Sequence, residues 1–484
     1  MIQWFKQGFF GNVRKDFLSG LTVAFALIPE AIAFSIMAGV DPMVGLYASF
    51  VIAVSISFFG GRPGMISAAT GAMASLMGPL VVKHGIEYLF AATILTGIIQ
   101  WLLGVMKFGR VITFVPQSVV TGFVNSLAII VFMAQIPNFK GESWPMYLMV
   151  AGTLLIIYLL PRLTKAVPSA LIAIIAMTII TVSFKIPVAT VGDMGSLTQS
   201  LPIFHLPEVP FNLDMIMTVL PISLALAVVG ITESLLTASL VDELTETESN
   251  KNREIRGQGI ANILTGFFGG MAGCAMIGQT VINIKSGGRT RLSTLVSGVL
   301  LLFLIIVLGD VVQQIPMAAL VGVMFMVSFG TFDWGSLRTL HKIPRGDAVV
   351  MVITVVIVVA TSNLAIGVVT GIVLSAVNFG WKMARIQAVH SQNSSGAKVY
   401  EIRGQLFFGT MSYFIGLFNV HEDPDQVIID FSHSHVWDHS ATSAIAKVMD
   451  KYNRAGKQVR MIGLNKESKE LVDKAGLRPS SSHS

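Results

Sequence analysis

Long apolar stretches recur along the first 386 residues, and they constrain the fold of this chain more than any other feature. A helix of about 20 apolar residues is long enough to cross the hydrocarbon core of a bilayer. Charged residues make up only 12% of the chain, about half the share usual in soluble domains. The sequence therefore predicts an all-α polytopic membrane domain of about 14 spans, at residues 17–39, 43–59, 71–83, 87–106, 110–135, 146–164, 168–184, 214–241, 257–270, 275–286, 291–309, 316–332, 346–361 and 364–381.

The lysines and arginines indicate how these spans are oriented. An even number of spans places both termini on one side, and positive residues are retained in the cytoplasm. If the N-terminus is inside, the outside loops carry only Lys83, Lys140 and Lys185. We therefore predict a multi-pass protein of a bacterial inner (plasma) membrane with both termini in the cytoplasm. The net charge of +6 then reflects this topology and not a surface for nucleic acid.

The two halves of the membrane domain resemble each other at an offset of about 200 residues. "FVPQSVVTGF" and "QIPMAALVGV" place Pro116 and Pro316 six residues before a glycine, and the apolar spans one and eight contain Glu30 and Glu233. Because each half has seven spans, the second half is inverted relative to the first. An inverted 7+7 repeat with interrupted helices at matching places is typical of a secondary transporter.

Two predicted spans, 71–83 and 275–286, are too short to cross a bilayer alone, and each follows small residues. A helix that begins within the membrane exposes free N–H groups and the positive end of its dipole. Two such ends that face each other would hold a small anion. The alternative is that the glycines before these spans only permit close helix packing.

Glu233 is the acidic residue of span eight, and a charged side chain inside the membrane usually faces a cavity and serves function. Thr237 lies four residues later on the same helix face, so the two side chains could bind sodium. Alternatively the carboxyl binds and releases a proton, which we favour because a Glu can neutralise itself. Glu30 is the symmetry mate of Glu233 and either binds the coupling ion or only orients the site. A purely structural hydrogen bond is the remaining alternative for both.

The chain changes character after Arg385. We predict a polar linker at 387–396, a small α/β domain at 397–477, and a disordered tail at 478–484. "KVYEIRGQLFF" alternates like a pair of strands, "DQVIIDFS" and "KQVRMIGL" are typical of buried strands, and amphipathic helices follow each of the last two. Strand–helix alternation predicts an α/β fold.

Three other features of the sequence carry little functional signal. The single cysteine, Cys274, is interpreted as an inert small hydrophobe. The histidines of "HSHVWDH" have no Cys or carboxylate set nearby, so we predict no metal site and no cofactor. The charged segment 242–259 is predicted to be a solvated cytoplasmic loop.

The motifs together resemble those of the sulfate permease family of anion transporters. "TVAFALIPEAIAFSIMAGVDPMVGLYASF", "ATGAMASL", "GQGIANILTGFFGG" and "SGGRTRLS" carry this resemblance, and the soluble part is similar to the STAS domain of bacterial anti-sigma-factor antagonists. The resemblance covers nearly the whole chain. It implies a uracil-permease-like 7+7 fold with core and gate subdomains, a cytoplasmic STAS domain and a homodimer. Substrates of the family include sulfate, bicarbonate, chloride and dicarboxylates.

The resemblance also implies roles for particular residues. The anion-binding positions, carried over by motif, are Thr70, Gly71, Ala72, Ala275, Met276, Ile277 and Gly278. Glu233 occupies the position of the acidic coupling residue with Thr237 beside it, and a Glu there favours protons over sodium. Glu30 stands where the family usually carries Gln. Ser440, after Asp438, aligns with the serine that is phosphorylated in the antagonists.

We therefore predict a secondary active transporter, and not an enzyme, that carries a small anion such as sulfate, bicarbonate or a dicarboxylate. We expect proton-coupled symport by alternating access, with a possible cytoplasmic protein partner for the STAS domain. The alternatives are a sodium-coupled bicarbonate symporter, an uncoupled anion channel or exchanger, a nucleobase permease of the same fold, and a membrane-tethered anion sensor.

Overall fold

The computed structural model divides into two compact units, Met1–Ile372 and Val373–Ser484. The structure describes residues 9, 11–109, 115–163, 169–194, 200–210, 212–393 and 396–477. The predicted tail at 478–484 lies outside these described residues, and so do parts of the predicted span at 110–135 and of the predicted linker.

Among the described residues, fourteen helices of nine or more residues precede Ala384. Within the same described part of the chain, nine of the helical segments are long and apolar enough to cross a membrane, and the predicted all-α membrane domain is confirmed. The helices are α1 (Val13–Met37), α2 (Pro42–Phe59), α3 (Gly71–His84), α4 (Ile86–Val105), α5 (Gln117–Met133), α6 (Trp144–Leu163), α7 (Ser169–Phe184), α8 (Leu213–Thr245), α9 (Lys251–Phe267), α10 (Ile277–Lys285), α11 (Arg291–Gln313), α12 (Met317–Thr331), α13 (Arg345–Thr361) and α14 (Leu364–Met383).

Local sequence explains where several of these helices begin. Asp41 accepts a hydrogen bond from the Met43 amide at 2.8 Å, and Pro42 is the first residue of α2. Proline is suited to that position because its missing N–H would have no partner in the first turn. Asn212 caps α8 in the same manner, since its Oδ1 accepts from the Met215 amide at 2.8 Å.

A short pair of strands connects the two halves of the first unit. β1 (Ser67–Ala69) comes before α3, and β2 (Gly273–Ala275) comes before α10. The strands are antiparallel, with Ala68 opposite Cys274. Their pairing satisfies the backbone where the chain is not helical, which buried polar groups require. It also brings the starts of α3 and α10 to the same place.

Small residues allow the helices around this strand pair to approach closely. A Cβ added at Gly97 of α4 would lie 2.5 Å from the carbonyl oxygen of Gly259 in α9. A Cβ at Gly273 of β2 would lie 2.1 Å from the carbonyl oxygen of Ala68. Larger side chains at these positions would separate the elements, so these glycines have a packing role.

The charged segment 242–259 is mostly ordered and is not the solvated loop that we predicted. It contributes the end of α8 and the start of α9. Glu254 is fully buried and accepts hydrogen bonds from the amides of Gly61 at 2.7 Å and Arg62 at 3.0 Å. Arg62 in turn pairs with Asp242 at 3.1 Å. The charge pattern predicted a solvated loop because a sequence does not distinguish charged side chains that are buried on backbone amides from those at the surface.

The second unit contains a four-stranded sheet in the order β3 (Gln387–Gln392), β4 (Lys398–Leu406), β5 (Gln426–Val436) and β6 (Gln458–Ile462). β3 is antiparallel to β4, whereas β4, β5 and β6 are parallel. The helices that follow α14 in this unit are α15 (Met411–Gly416), α16 (His439–Arg454) and α17 (Lys466–Lys474). Its core contains Tyr400, Phe431 and Tyr452. The predicted α/β fold is confirmed.

The first strand of this sheet lies where we predicted a linker. Residues Gln387–Gln392 pair with Lys398–Arg403, and "KVYEIRGQL" forms one strand and not two. β3 is an edge strand whose side chains are mostly exposed, so its sequence is polar and resembles a linker. The hydrogen bonds to β4, and not a hydrophobic pattern, make this segment a strand.

Candidate functional site

A cavity of about 90 Å³ lies in the first unit where α3 and α10 begin. Two acidic side chains line it, Glu30 from α1 and Glu233 from α8. The opposite wall is mainly apolar and comes from α5 and α12, including Phe123, Leu127 and Val327. The cavity therefore joins residues from both halves of the membrane domain.

The first polar edge of the cavity is the start of α3. Thr70 is the N-cap residue, and its hydroxyl accepts a hydrogen bond from the Met73 amide at 3.4 Å. Gly71 also lines the cavity, and a Cβ there would lie 2.8 Å from Cε1 of Phe34. The first amides of a helix have no partner within the helix, so this end presents N–H groups and a positive dipole.

The second polar edge is the start of α10. The amides of Ala275 and Met276 are already used, by Ser234 Oγ at 3.1 Å and by the Ile66 carbonyl at 2.9 Å. Ile277 and Gly278 follow in the first turn and line the cavity. A Cβ added at Gly278 would meet no atom within 4 Å. The open space for a ligand is therefore beside Gly278.

Glu233 is buried, and only 6% of its surface is exposed. Its Oε2 accepts a hydrogen bond from Cys274 Sγ at 3.0 Å, and the same sulfur lies 3.4 Å from Thr70 Oγ1. Cys274 therefore connects the carboxyl to the start of α3. It does not behave as the inert hydrophobe that the sequence suggested, because its S–H group is a hydrogen-bond donor in a buried polar setting.

Thr237 does not join Glu233 at the cavity. Its hydroxyl donates to the main-chain carbonyl of Glu233 at 2.7 Å, which is the usual bond of a threonine within a helix. Thr237 is fully buried and is not among the residues that line the cavity.

Glu30 is bound by a side chain of α10. Its Oε1 accepts a hydrogen bond from Gln279 Nε2 at 2.7 Å. Gln279 also lines the cavity, and its Oε1 is buried with no hydrogen-bond partner among the described residues. Buried polar atoms are normally satisfied, so this oxygen could accept a hydrogen bond from a donor group in the cavity.

No Lys, Arg or His is found among the described residues that line the cavity. The positive potential there comes from the two helix ends, which favour an anion. The two carboxyl groups oppose an anion while they are ionised and cease to do so when they bind a proton. The geometry thus suits an anion whose binding depends on the state of the carboxyl groups.

The predicted positions divide into three groups in the structure. The cavity is lined by Glu30, Thr70, Gly71, Glu233, Met276, Ile277 and Gly278, and it is not lined by Ala72, Ala275 or Thr237. Ser440 belongs to the second unit, in the first turn of α16.

The sequence analysis missed the polar residues that hold β2 in place. Asn262 of α9 donates to the Gly273 carbonyl at 3.0 Å and accepts from the Gly273 amide at 2.9 Å. Gln258, one turn earlier, donates to Ser67 of β1 at 2.6 Å. Two amide side chains four residues apart in an apolar span were the available signal, because such residues share one helix face.

Two halves of a helical membrane unit meet at the starts of α3 and α10 around a small cavity, an arrangement that occurs in membrane transporters. The chain matches the sulfate permease family over residues 13–144 and 142–354 and the STAS domain over residues 388–482. The protein belongs to the sulfate permease family, and it is a membrane transporter and not an enzyme.

Similar proteins include transporters of bacteria. The chain is 58% identical to a Bacillus subtilis protein named "Putative sulfate transporter YbaR", over 96% of this chain and 98% of that protein. It is 26% identical to the bicarbonate transporter BicA of a Picosynechococcus species, over 97% of this chain and 92% of BicA.

Two solved structures have a similar fold. The transmembrane domain of a cyanobacterial BicA is 29% identical and covers 75% of this chain and 97% of that domain, with a TM-score of 0.67. The structure of SLC26A9 is 17% identical and covers 98% of this chain and 88% of that chain, with a TM-score of 0.85. The second likeness concerns the fold alone.

Proposed function

We propose that this protein carries a small inorganic or carboxylic anion into the cell together with a proton. Sulfate is the first candidate, because the relative YbaR, which shares 58% identity with this chain, is named a putative sulfate transporter. The positions Thr70, Gly71, Ile277 and Gly278 bind the anion through backbone amides. Ala72, Ala275 and Met276 support the same two helix starts.

The observation that carries this proposal is the composition of the cavity. Two carboxyl groups, Glu30 and Glu233, line the same space as two helix N-termini, and no cationic side chain of the described residues is present. An anion in this space would be repelled by ionised carboxylates. Proton binding removes that repulsion, so the anion and the proton favour each other's binding.

Glu233 is the proton carrier in this proposal. Its carboxyl is buried and has one neutral donor, Cys274, so its ionised form has little compensation for the loss of water. Glu30 differs because it receives a hydrogen bond from the Gln279 amide. We propose that Glu30 tunes anion affinity, and that Thr237 supports the helix without binding the coupling ion.

Transport would follow from movement of the site between two apolar walls. The helix starts and both acidic residues would form a core subdomain, and α5 and α12 would belong to the gate subdomain. When the anion and proton are both bound, the carboxyl of Glu233 is neutral and no longer repels the anion, and the core can then move against the gate.

The test is labelled sulfate uptake into proteoliposomes that contain the purified protein under an inward proton gradient. We expect accumulation that collapses with a proton ionophore and resists excess bicarbonate or fumarate. Glu233→Gln should lose accumulation, because an amide cannot exchange a proton. Glu243→Gln is the matched control, since Glu243 lies on the same helix and is exposed.

Each result of this experiment has a defined meaning. Full accumulation by Glu233→Gln would contradict proton coupling through this residue. Currents that exceed carrier turnover would contradict alternating access and indicate a channel. Uptake that is blocked by fumarate or bicarbonate would keep the mechanism but change the substrate.

A sodium-coupled bicarbonate symporter is the second candidate. The likeness to BicA, which is named a bicarbonate transporter, favours it. In that case a sodium gradient, and not a proton gradient, would drive labelled bicarbonate uptake. Uptake measured in the same proteoliposomes, first with a proton gradient and then with a sodium gradient, distinguishes the two candidates.

We also propose an inner-membrane homodimer with both termini in the cytoplasm, where the STAS domain can contact a protein partner. Ser440 is the proposed regulatory position. It lies beside Asp438, whose Oδ1 accepts from the Ala441 amide at 2.8 Å and caps α16. A phosphate at this helix start would change the local charge. Mass spectrometry that finds Ser440 always unmodified in cells would contradict this role.

A further inference from the structure

We propose that Cys274 is a positioning residue that transmits the protonation of Glu233 to Thr70, so that proton binding adds a hydrogen-bond donor for the anion. This inference rests on the proposed function, because it explains how one proton and one anion help each other to bind. The sulfur is fully buried and lies 3.0 Å from Glu233 Oε2 and 3.4 Å from Thr70 Oγ1.

The strand pair fixes the sulfur between its two partners. Cys274 lies opposite Ala68 in the register of β1 and β2, and Thr70 follows β1 directly. On the other side, the Ala275 amide donates to Ser234 Oγ at 3.1 Å. This bond holds α8 against β2 and places Glu233 beside the sulfur. The carboxyl, sulfur and hydroxyl groups therefore form a row of hydrogen bonds that the strand pair and α8 keep in place.

The directions of the hydrogen bonds depend on the proton at Glu233. When the carboxyl is ionised, the S–H group of Cys274 donates to it, and the Thr70 hydroxyl donates its hydrogen to the sulfur. When the carboxyl binds a proton from the cavity, its new O–H group can donate to the sulfur. The S–H group then turns to Thr70 Oγ1, which has a free lone pair. No bond to sulfur breaks in this exchange.

The result is that the Thr70 hydroxyl hydrogen becomes free. Thr70 lines the cavity, so its O–H group can turn toward an anion there. One proton enters at Glu233, and one donor becomes available at the start of α3. An additional hydrogen bond of ordinary strength would strengthen anion binding by about fivefold, and by linkage the anion would favour the proton by the same factor.

The described residues that line the cavity include one titratable side chain besides Glu233. Glu30 is the other acidic residue of the cavity, and its carboxyl is bound by Gln279 and not by Cys274. No Lys, Arg or His of the described part of the chain lines the cavity. A pH effect at the sulfur can therefore be assigned by substituting Glu233 and Glu30 separately.

The test uses the infrared S–H stretching band of the full-length protein in lipid nanodiscs. The chain has one cysteine, so this band reports Cys274 alone, and its frequency depends on what the S–H group donates to. We expect the band to shift when the pH is lowered from mildly alkaline to mildly acidic. The shift should be absent in Glu233→Gln and retained in both Glu30→Gln and Glu243→Gln.

A binding experiment measures the consequence for the anion. Sulfate Kd values at acidic and alkaline pH measure how much the affinity for sulfate increases on acidification. Cys274→Ala should make this increase about fivefold smaller. Cys274→Ser should retain this gain, because a hydroxyl donates and accepts in the same place. Ser297→Ala is a control for removing a buried small polar group in α11, outside the cavity.

The outcomes separate this inference from the proposed function. A band that does not change with pH, or that still shifts in Glu233→Gln, would overturn the role of Cys274. If Glu233→Gln nevertheless loses sulfate accumulation, the proposed function stands without it. If Glu233→Gln retains accumulation, the proposed function fails, whatever the band shows.

Discussion

Gln279 donates its side-chain amide to Glu30 at 2.7 Å and so joins α10 of the second half to α1 of the first. The residue that donates to the other acidic side chain, Cys274, belongs to the same stretch of chain, since β2 leads directly into α10. One segment therefore contacts both carboxyl groups of the cavity. A movement of the start of α10, or a ligand bound there, would therefore change the surroundings of both carboxyl groups.

Replacing Glu30 should separate its role from that of Glu233. In Glu30→Gln, the amide oxygen can still accept from Gln279, so the local structure is kept while one negative charge is removed. We expect sulfate to bind roughly tenfold more tightly at alkaline pH, because like-charge repulsion in the cavity is smaller. Isothermal titration at alkaline pH measures this. Loss of accumulation as complete as in Glu233→Gln would show that Glu30 also carries the proton.

A side chain at position 278 should occupy the space of the anion. Gly278 has no atom within 4 Å of an added Cβ, so Gly278→Val should fold and yet fill part of a cavity of about 90 Å³. We expect sulfate affinity to fall at least about tenfold, which is about 1.4 kcal/mol. Gly380→Val is the matched control, because its Cβ is equally unobstructed in α14. Normal uptake by Gly278→Val would place the anion elsewhere.

Thr237 provides a test of the coupling ion. Its hydroxyl donates to the main chain at 2.7 Å, so Thr237→Val should leave proton-driven uptake within about twofold of wild type and lower stability by about 1 kcal/mol. Thr232→Val on the same helix removes a similar bond to Val228 and is the control. Loss of uptake in Thr237→Val, together with dependence on sodium, would support a sodium site at Glu233 and Thr237.

In the STAS domain, Asp423 is the centre of a buried polar cluster. Lys398 and Tyr400 each donate to its carboxylate at 2.6 Å, and Tyr452 donates to it as well. Burial raises the pKa of Asp423, but these hydrogen bonds lower it by more, so the net pKa lies below the usual value. Asp423→Asn removes the charge from this cluster and weakens the hydrogen bond from the partly exposed Lys398 ammonium, so it should destabilise the domain by about 2 kcal/mol.

The pH dependence of this stabilisation follows from the direction of the shift. Because the pKa of Asp423 is lower in the folded state, the stabilisation is present above the unfolded value of about 3.9 and is lost as the pH falls through the folded value. Urea unfolding of a fragment spanning 384–477 at several pH values measures this. Asp425→Asn, at an exposed neighbouring carboxylate, should have little effect. Equal loss in both variants would contradict a special role for Asp423.

The helices of the membrane unit were predictable because apolar length is a local property. The predicted spans at 43–59 and 364–381 agree with α2 and α14 to within two residues. The starts of α3 and α10 were predictable as well, since small residues precede two short apolar runs at matching positions. By contrast, β3 could not be recognised, because hydrogen bonds to β4 and not its own side chains make it a strand.

The sequence by itself determined a helical membrane unit in two related halves, a following α/β domain, and acidic residues at matching places in the first and eighth helices. These follow from hydrophobic length, alternation and spacing, which act within one segment. Only the tertiary structure decided that Thr237 does not line the cavity, that Glu254 is buried on backbone amides, and that Cys274 connects Glu233 to Thr70. The last of these relationships depends on the pairing of β1 with β2 across more than 200 residues of sequence. Contacts between distant segments are set by the packing of the whole unit and leave no periodic signal in the chain.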